Sequence, residues 1–87
     1  MSYRVIWSPF AEDWLELFLS NAAERANIAA AAKDIDQQLI ADPTALGESR
    51  YDEVRIGFVR PLGVQFEVLE DVRMVVVHDV WRIDWKH

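Results

Sequence analysis

The chain has 87 residues, of which 52% are apolar, and it carries 15 acidic and nine basic side chains, giving a formal net charge of −6 at pH 7. This length predicts one domain, and the apolar content excludes an intrinsically disordered chain. The sequence contains no cysteine, which excludes disulfides and thiolate metal sites. No secretory signal and no apolar run of about 20 residues is visible, so we expect a cytoplasmic protein that does not interact with membranes.

The charge is distributed unevenly along the chain. Residues 1–53 hold ten acids and four bases, whereas residues 54–87 hold five of each. An acidic chain is repelled by nucleic acid, because binding to phosphates normally needs several Lys or Arg contacts. We therefore expect weak nucleic-acid binding at most.

The N-terminal stretch predicts a strand followed by a helix. Residues 3–7, "YRVIW", are rich in β-branched and aromatic side chains, as is typical of a strand. Ser8 suits the N-cap and Pro9 suits the first helical position. We expect this helix to end near Asn21 and its aromatic residues to belong to the core. Its apolar side chains recur at helical spacing: Phe10, Trp14, Leu17 and Phe18.

A second helix is indicated by an apolar stripe and a proline stop. The stripe has spacings of four, three and four residues: Ile28, Ala32, Ile35 and Leu39. "DP" at 42–43 ends the helix, because the residue before a proline avoids the α region. We expect the two helices to form a hairpin with its break between residues 21 and 27.

The C-terminal half changes to a period of two. Residues 54–58, 64–68 and 74–80 each alternate apolar and other side chains, and short links join them. This pattern predicts three antiparallel strands after a polar connection. The predicted fold is α+β, with order β-α-α-β-β-β. The helical hairpin packs on one face of a small, mainly antiparallel four-stranded sheet.

Alternation also predicts which strand residues face the helices. The helix-facing set is Val54, Ile56, Phe58, Val64, Phe66, Val68, Met74 and Val76. The opposite face is predicted to carry Arg55, Gln65, Glu67, Arg73 and Asp79. The parity of His78 places its side chain towards the helices. A shift of one residue in register reverses any such assignment.

Three stretches of the sequence resemble the RelE/ParE-type toxins of bacterial toxin–antitoxin pairs. They are "YRVIWSPFAEDWLELF" at 3–18, the pattern L-x-x-DP-x-x-x-G at 39–47, and "PLGVQFEVLEDVRMVVVHDVWR" at 61–82. The similarity covers nearly the whole chain, so we expect one toxin-like domain over residues 1–87. The resemblance implies two N-terminal helices on a sheet, in agreement with the periodicity. It also implies a toxin–antitoxin system, of the kind associated with plasmid stabilisation.

The resemblance implies a site as well. Ribonuclease members of the family hold messenger RNA in the ribosome with basic residues on the sheet and an acid/base group near the last strand. One basic position is matched by Arg55, but its partner two residues on is Gly57. The arginine that opens the third strand falls on Gly63. The His or Lys near the C-terminus falls on Arg82, and the arginine that often follows falls on Ile83.

The candidate catalytic residues are therefore Arg55, His78 and Arg82. In-line RNA cleavage needs a base for the 2′-hydroxyl, an acid for the leaving oxygen and cations for the charged intermediate. Arginine supplies charge but stays protonated, whereas histidine titrates near neutrality. Enzymatic activity stays open, because the match is partial and the chain is acidic. We expect no cofactor and no metal, since the sequence has only two histidines, one of them terminal.

A second set of residues is a candidate for partner binding: Trp81, Arg82, Arg55 and Arg73. Trp81 and Trp85 flank Arg82, and Trp and Arg are the residue types most enriched in interface hot spots. In the alternative interpretation, the tryptophans pack on the first helix. Arg82 then forms a structural ion pair, with Asp84 or Glu12.

Three functions are consistent with this sequence. In the first, the chain is a toxin that binds a protein target such as DNA gyrase and is neutralised by a cognate antitoxin. In the second, it is a ribosome-dependent mRNA endoribonuclease with rearranged catalytic residues. In the third, it is a degenerate, non-toxic binding module. The losses among the ribonuclease residues favour the first and third over the second.

Overall fold

The structure, a computed structural model, describes residues 2–51 and 53–83, with the backbone alone at residues 50 and 51. Its helices and strands are β1 (Arg4–Trp7), α1 (Pro9–Leu19), α2 (Arg25–Ala41), β2 (Glu48–Tyr51), β3 (Val54–Val59), β4 (Leu62–Leu69) and β5 (Met74–Arg82). Within these residues the sheet has five strands in the order β1-β5-β4-β3-β2. β1 is parallel to β5, and the other neighbours are antiparallel.

The predicted α+β fold is confirmed, with a correction to the strand count. The sheet has five strands instead of four, because residues 48–51 of the expected polar connection form β2. β2 pairs with β3 from Glu48 opposite Ile56, and the register shifts before Tyr51. A four-residue polar edge strand lacks the alternation that identifies a strand in sequence. It forms because β3 offers an unpaired edge.

The predicted caps set the helix boundaries. The Ser8 hydroxyl accepts a hydrogen bond from the Ala11 N–H at 3.1 Å, and Pro9 opens α1. α2 ends at Ala41, one residue before Asp42, whose carboxylate accepts from the Thr44 N–H at 3.1 Å. None of the helices in the described ranges is both long and apolar enough to cross a membrane.

The buried residues of α2 match the predicted stripe at three of its four positions. Ile28, Ile35 and Leu39 are buried. Ala31 is buried in place of Ala32, which is half-buried. An alanine run offers no larger side chain to decide between these two neighbours, so the geometry of packing decides.

α1 turns the opposite way from the prediction. Phe10 is 58% exposed and Trp14 40%, so their assignment to the core is wrong, whereas Phe18 packs against the core as predicted. Leu17, of the same apolar row, is 58% exposed. The core side of α1 consists instead of buried Ala11 with Leu15 and the partly buried Phe18. Residues 11, 15 and 18 also recur at helical spacing. The helix is therefore apolar over a wide arc, and the larger side chains do not occupy the buried part of it.

The register of β4 follows the alternation. Val64, Phe66 and Val68 are buried, whereas Gln65 and Glu67 lie half-buried on the opposite face. These buried residues meet Ile28, Ile35 and Leu39 of α2 in one hydrophobic core. The prediction for this strand is confirmed.

β3 and β5 take the opposite parity from the prediction. Directly paired residues share a face, so Arg55 opposite Phe66 lies on the helix-facing side. On the other side Val54, Ile56 and Phe58 pair with Glu67, Gln65 and Gly63. In β5 the buried residues are Val75, Val77 and Val80, so Met74 and Val76 face away from the helices. In β5 both parities are largely apolar, and in β3 the apolar parity is the one that faces away from the helices, so alternation alone does not fix the face.

We call the helix-facing side of the sheet the closed face. We call the opposite side the open face, whose described members are Arg4, Ile6, Glu48, Val54, Ile56, Phe58, Gly63, Gln65, Glu67, Leu69, Met74, Val76, His78, Asp79 and Trp81.

Candidate functional site

The open face carries an aromatic ledge formed by Phe58 of β3 and Trp81 of β5. Their ring centroids are 6.3 Å apart and the planes meet at 80°, an edge-to-face pair. Phe58 is 56% exposed. The Trp81 indole lies directly over Gly63, where a Cβ atom would sit 2.5 Å from the indole Nε1. The glycine therefore allows the indole to lie flat on β4.

The open face also carries polar side chains. His78 Nε2 lies 3.0 Å from Glu67 Oε1 across the β4–β5 pair. The prediction that His78 points towards the helices is wrong, because Met74 and Val76 already face away from the helices and His78 has the same parity. The register irregularity between Gln65 and Phe66 then places Asp79 on the open face as well. The Asp79 carboxylate accepts from the Val80 N–H at 2.8 Å.

Formal charges on the open face are mainly negative. Among its described side chains, the carboxylates of Glu48, Glu67 and Asp79 stand against the guanidinium of Arg4. His78 adds a positive charge only when it is protonated. Phosphate binding needs the opposite balance.

Arg55 lies on the closed face, contrary to the prediction. Its Nη2 donates to the carbonyl oxygens of Thr44 and Gly47, each at 2.9 Å. It thereby ties the turn after α2 to the start of β2. Its buried Nε finds no hydrogen-bond acceptor among the described residues. Such a guanidinium is part of the scaffold and does not point at the open face.

Arg82 and Trp81 point to opposite sides of β5. Arg82 pairs with Leu62 in register, on the closed face, and its Nη1 lies 2.7 Å from Glu24 Oε1. The ion pair lines a cleft of ≈ 530 Å³ between α2 and the turn that joins β3 to β4. The predicted structural ion pair therefore exists, but its partner is Glu24, at the start of α2, instead of Glu12.

The same interpretation also places the tryptophans against α1, and the structure does not confirm this for Trp81. Trp81 does not pack on α1, because it lies on the face of the sheet away from the helices. Asp84 and Trp85 lie outside the described residues.

Arg73 occupies the turn before β5 and does not lie on the open face as predicted. It has a left-handed backbone, with φ of 54°. Its guanidinium carbon lies 5.0 Å from the centroid of the Tyr3 ring. The Tyr3 hydroxyl donates to Glu70 Oε1 at 2.8 Å, and this hydrogen bond is the main cause that raises the pKa of Tyr3 above its usual value. Arg73 thus helps to hold the β1 edge.

The three candidate catalytic residues are not brought together. Arg55 contacts the turn after α2, Arg82 contacts the start of α2, and His78 contacts Glu67 on the open face. An in-line cleavage site needs its acid, base and cation around one phosphate. In the described part of the chain, no group of three or more His, Cys, Asp and Glu side chains is arranged to hold a metal ion.

Sequence reasoning missed Phe58 as a surface residue. The signal that could have found it is Gly63, five positions further along a short hairpin. A glycine inside a strand marks close approach of another group, and here that group is the Trp81 ring beside Phe58.

Two N-terminal helices on one face of a mixed five-stranded sheet give this chain the RelE/ParE-type toxin fold. A solved chain of the toxin–antitoxin complex RelBE2 from Mycobacterium tuberculosis is similar to it with a TM-score of 0.78. The likeness covers 94% of this chain and 92% of that chain, at 14% sequence identity. No protein-family model and no curated protein matches the chain by sequence. At this identity, the likeness establishes the fold.

Proposed function

We propose that this protein is a toxin that acts by binding a protein target through its open face and is neutralised by a cognate antitoxin. The observation that carries the proposal is the Trp81 indole lying over Gly63. In the resemblance to RelE-type ribonucleases, Gly63 stands where those proteins have an arginine. An apolar ring occupies the space above that position.

A cation could not be restored at Gly63 without moving Trp81. Even a Cβ atom at residue 63 would lie 2.5 Å from Nε1 and 2.6 Å from Cε2 of the indole. The ribonuclease position and the aromatic ledge are therefore mutually exclusive in this geometry. The ledge suits recognition of a protein, because exposed Phe58 and half-buried Trp81 offer aromatic contact area.

Gly57, where the resemblance implies a second basic residue, also argues against a ribonuclease site on the open face. Gly57 lies on the closed face, opposite Val64. A Cβ atom there would lie 2.7 Å from Leu46 Cγ, so the site is filled by the turn after α2. A longer basic side chain at residue 57 would point into this packing and away from the open face.

Charge supports a protein target over RNA. The open face that carries the ledge also carries the carboxylates of Glu67 and Asp79, and the whole chain has a net charge of −6. RNA binding gains most of its affinity from neutralising phosphates, which such a face repels. Protein partners with Lys or Arg at the rim of their contact surface are attracted instead.

The expectation of an antitoxin is supported by the fold. The similar solved chain comes from a toxin–antitoxin complex. An antitoxin that covers the open face would block a target competing for the same ledge. Neutralisation by direct occlusion needs no further site on this chain.

Inducible expression in a bacterium, with and without the neighbouring open reading frame, tests the proposal. We expect growth to slow on induction while messenger RNA stays uncut in primer-extension assays. Co-expression of the neighbouring frame should restore growth. Ribosome-dependent cuts in messenger RNA would contradict the proposal and select the endoribonuclease. Normal growth at confirmed expression would also contradict it and select a non-toxic binding module.

A further inference from the structure

α1 presents an exposed apolar stripe on the helix layer, away from the open face. The stripe consists of Phe10, Trp14 and Leu17, which are 58%, 40% and 58% exposed. Phe10 and Trp14 meet edge-to-face at 6.5 Å, and Trp14 is 5.9 Å from Phe18, which anchors the row to the core. A contiguous exposed apolar patch of this kind marks an interaction site more often than isolated apolar residues do.

The stripe also forms part of a concave surface. Phe10, Trp14 and Leu17 line a surface depression of ≈ 380 Å³ together with Asp13. Successive side chains at i, i+4 and i+7 form a straight row along a helix. A second helix laid alongside α1 would place its own apolar row against this one.

The charges on α1 indicate which kind of helix could bind in this depression. The helix carries Glu12, Asp13 and Glu16 and has no basic residue. Asp13 lies within the depression, and Glu16 follows it one turn further along the same side of the helix. The contact surface is therefore an apolar row with an acidic border.

This border disfavours three other occupants. A second copy of the chain would bring the two Asp13 and Glu16 borders towards each other, which is repulsive. Nucleic acid and anionic lipid surfaces are repelled by the same carboxylates. A helix whose apolar row is flanked by Lys or Arg is attracted.

We propose that the α1 stripe docks a cationic amphipathic helix of a partner protein. The apolar row of the partner packs on Phe10, Trp14 and Leu17, and its basic residues lie against Asp13 and Glu16. This is the helix-in-groove mode of recognition, read through anchors about one turn apart. The stripe lies on the helix layer and the ledge on the opposite face of the sheet, so the two surfaces can be occupied together. The proposal stands whether or not the open face binds a target.

The test uses the full-length protein and two synthetic peptides. One is an amphipathic Leu/Lys helix, and the other has the same Leu pattern with Glu in place of Lys. We expect the Leu/Lys peptide to shift amide NMR signals of residues 9–19, and the Leu/Glu peptide to leave them unchanged. Trp14→Ala and Leu17→Ala should each weaken Leu/Lys binding about tenfold or more, the loss expected of a hot-spot residue.

Controls separate docking from general attraction between opposite charges. Asp34→Asn removes an exposed acid of α2 that does not line the depression and should leave the affinity unchanged, whereas Asp13→Asn should lower it. Phe58→Ala, on the open face, should also bind the peptide normally. If Trp14→Ala misfolds, Leu17→Ala and Asp13→Asn carry the test.

Several results would overturn the proposal. One is a Leu/Lys affinity that falls equally with Asp34→Asn and Asp13→Asn. Another is equal binding of the Leu/Glu peptide. A third is a dimer in sedimentation that Leu17→Ala dissociates, because it would show that a second copy occupies the stripe.

Discussion

The two faces of the sheet use their charged and aromatic residues in opposite ways. On the closed face, Arg55 bonds to backbone carbonyls and Arg82 pairs with Glu24, so the guanidinium groups hold the scaffold together. On the open face, exposed Phe58 and half-buried Trp81 form an aromatic ledge, on a face that also carries carboxylates. The number of arginines in the sequence therefore says little about RNA binding. The face on which each arginine lies decides its role.

The sharpest contrast between the faces is between two phenylalanines. Phe66 is fully buried on the closed face, and Phe58 is 56% exposed on the open face. Phe66→Ala should lower the free energy of unfolding by about 3–5 kcal/mol, because it leaves a cavity in the core. Phe58→Ala should cost about 1 kcal/mol, the value of its contact with Trp81. Urea denaturation of both variants measures the difference. Equal losses would show that the two faces are not distinguished by burial.

Arg55 should matter for stability more than for any binding activity. Arg55→Ala removes both hydrogen bonds to the Thr44 and Gly47 carbonyls and should destabilise the protein by about 1–3 kcal/mol. Arg55→Lys should recover little of this, since an ammonium does not reproduce the planar fork of donors. Thermal unfolding is the measurement. An Arg55→Ala variant as stable as wild type would return this residue to the list of functional cations.

Arg82 should have a smaller effect, because its ion pair is partly exposed. The Arg82 and Glu24 side chains are 37% and 36% accessible. Such pairs contribute about 0.2–1 kcal/mol. Arg82→Ala should therefore unfold at nearly the wild-type temperature, and the effect of Glu24→Gln should be similar. A double-mutant cycle between the two residues measures the coupling, and added salt should reduce it. A large coupling energy that is insensitive to salt would contradict the surface-pair assignment.

The smallest effect concerns the β1 edge, which belongs to neither face. The hydrogen bond to Glu70 favours the neutral form of Tyr3 and raises its pKa above 10.0. Because the folded value exceeds the unfolded one, this contribution to stability is complete below the unfolded pKa and is lost as pH rises through the folded pKa. Glu70→Ala should lower the ionisation midpoint of Tyr3 in an NMR titration of its ring. An unchanged midpoint would contradict the cause given.

Local signals in the sequence predicted most of the fold. Ser8 and Pro9 identify the start of α1, and "DP" at 42–43 identifies the end of α2. In β4, apolar residues alternate with Gln65 and Glu67, so its register was predicted correctly. These features depend on neighbouring residues alone.

The candidate site could not be predicted in the same way, because it depends on which apolar side is buried. β5 has valines at 75, 76 and 77, and β3 is apolar on one parity while Arg55 sits on the other. α1 likewise offers two apolar rows at helical spacing. In each case the choice is made by tertiary packing against α2 and β4. The β3–β4 pairing then sets the position of Phe58, the β4–β5 pairing sets that of His78, and the irregularity at Gln65 sets that of Asp79.

The central claim is that the open face, through its aromatic ledge, contacts the target. Growth after induction of Phe58→Ala tests it most directly, beside wild type and Ile40→Ala. Ile40 is an apolar residue of α2 with 41% exposure, so its truncation is a matched control on the helix layer. All three proteins are first shown to be folded and equally abundant. The account predicts that Phe58→Ala restores growth, whereas Ile40→Ala remains as toxic as wild type. Undiminished toxicity of a folded Phe58→Ala protein would contradict the account.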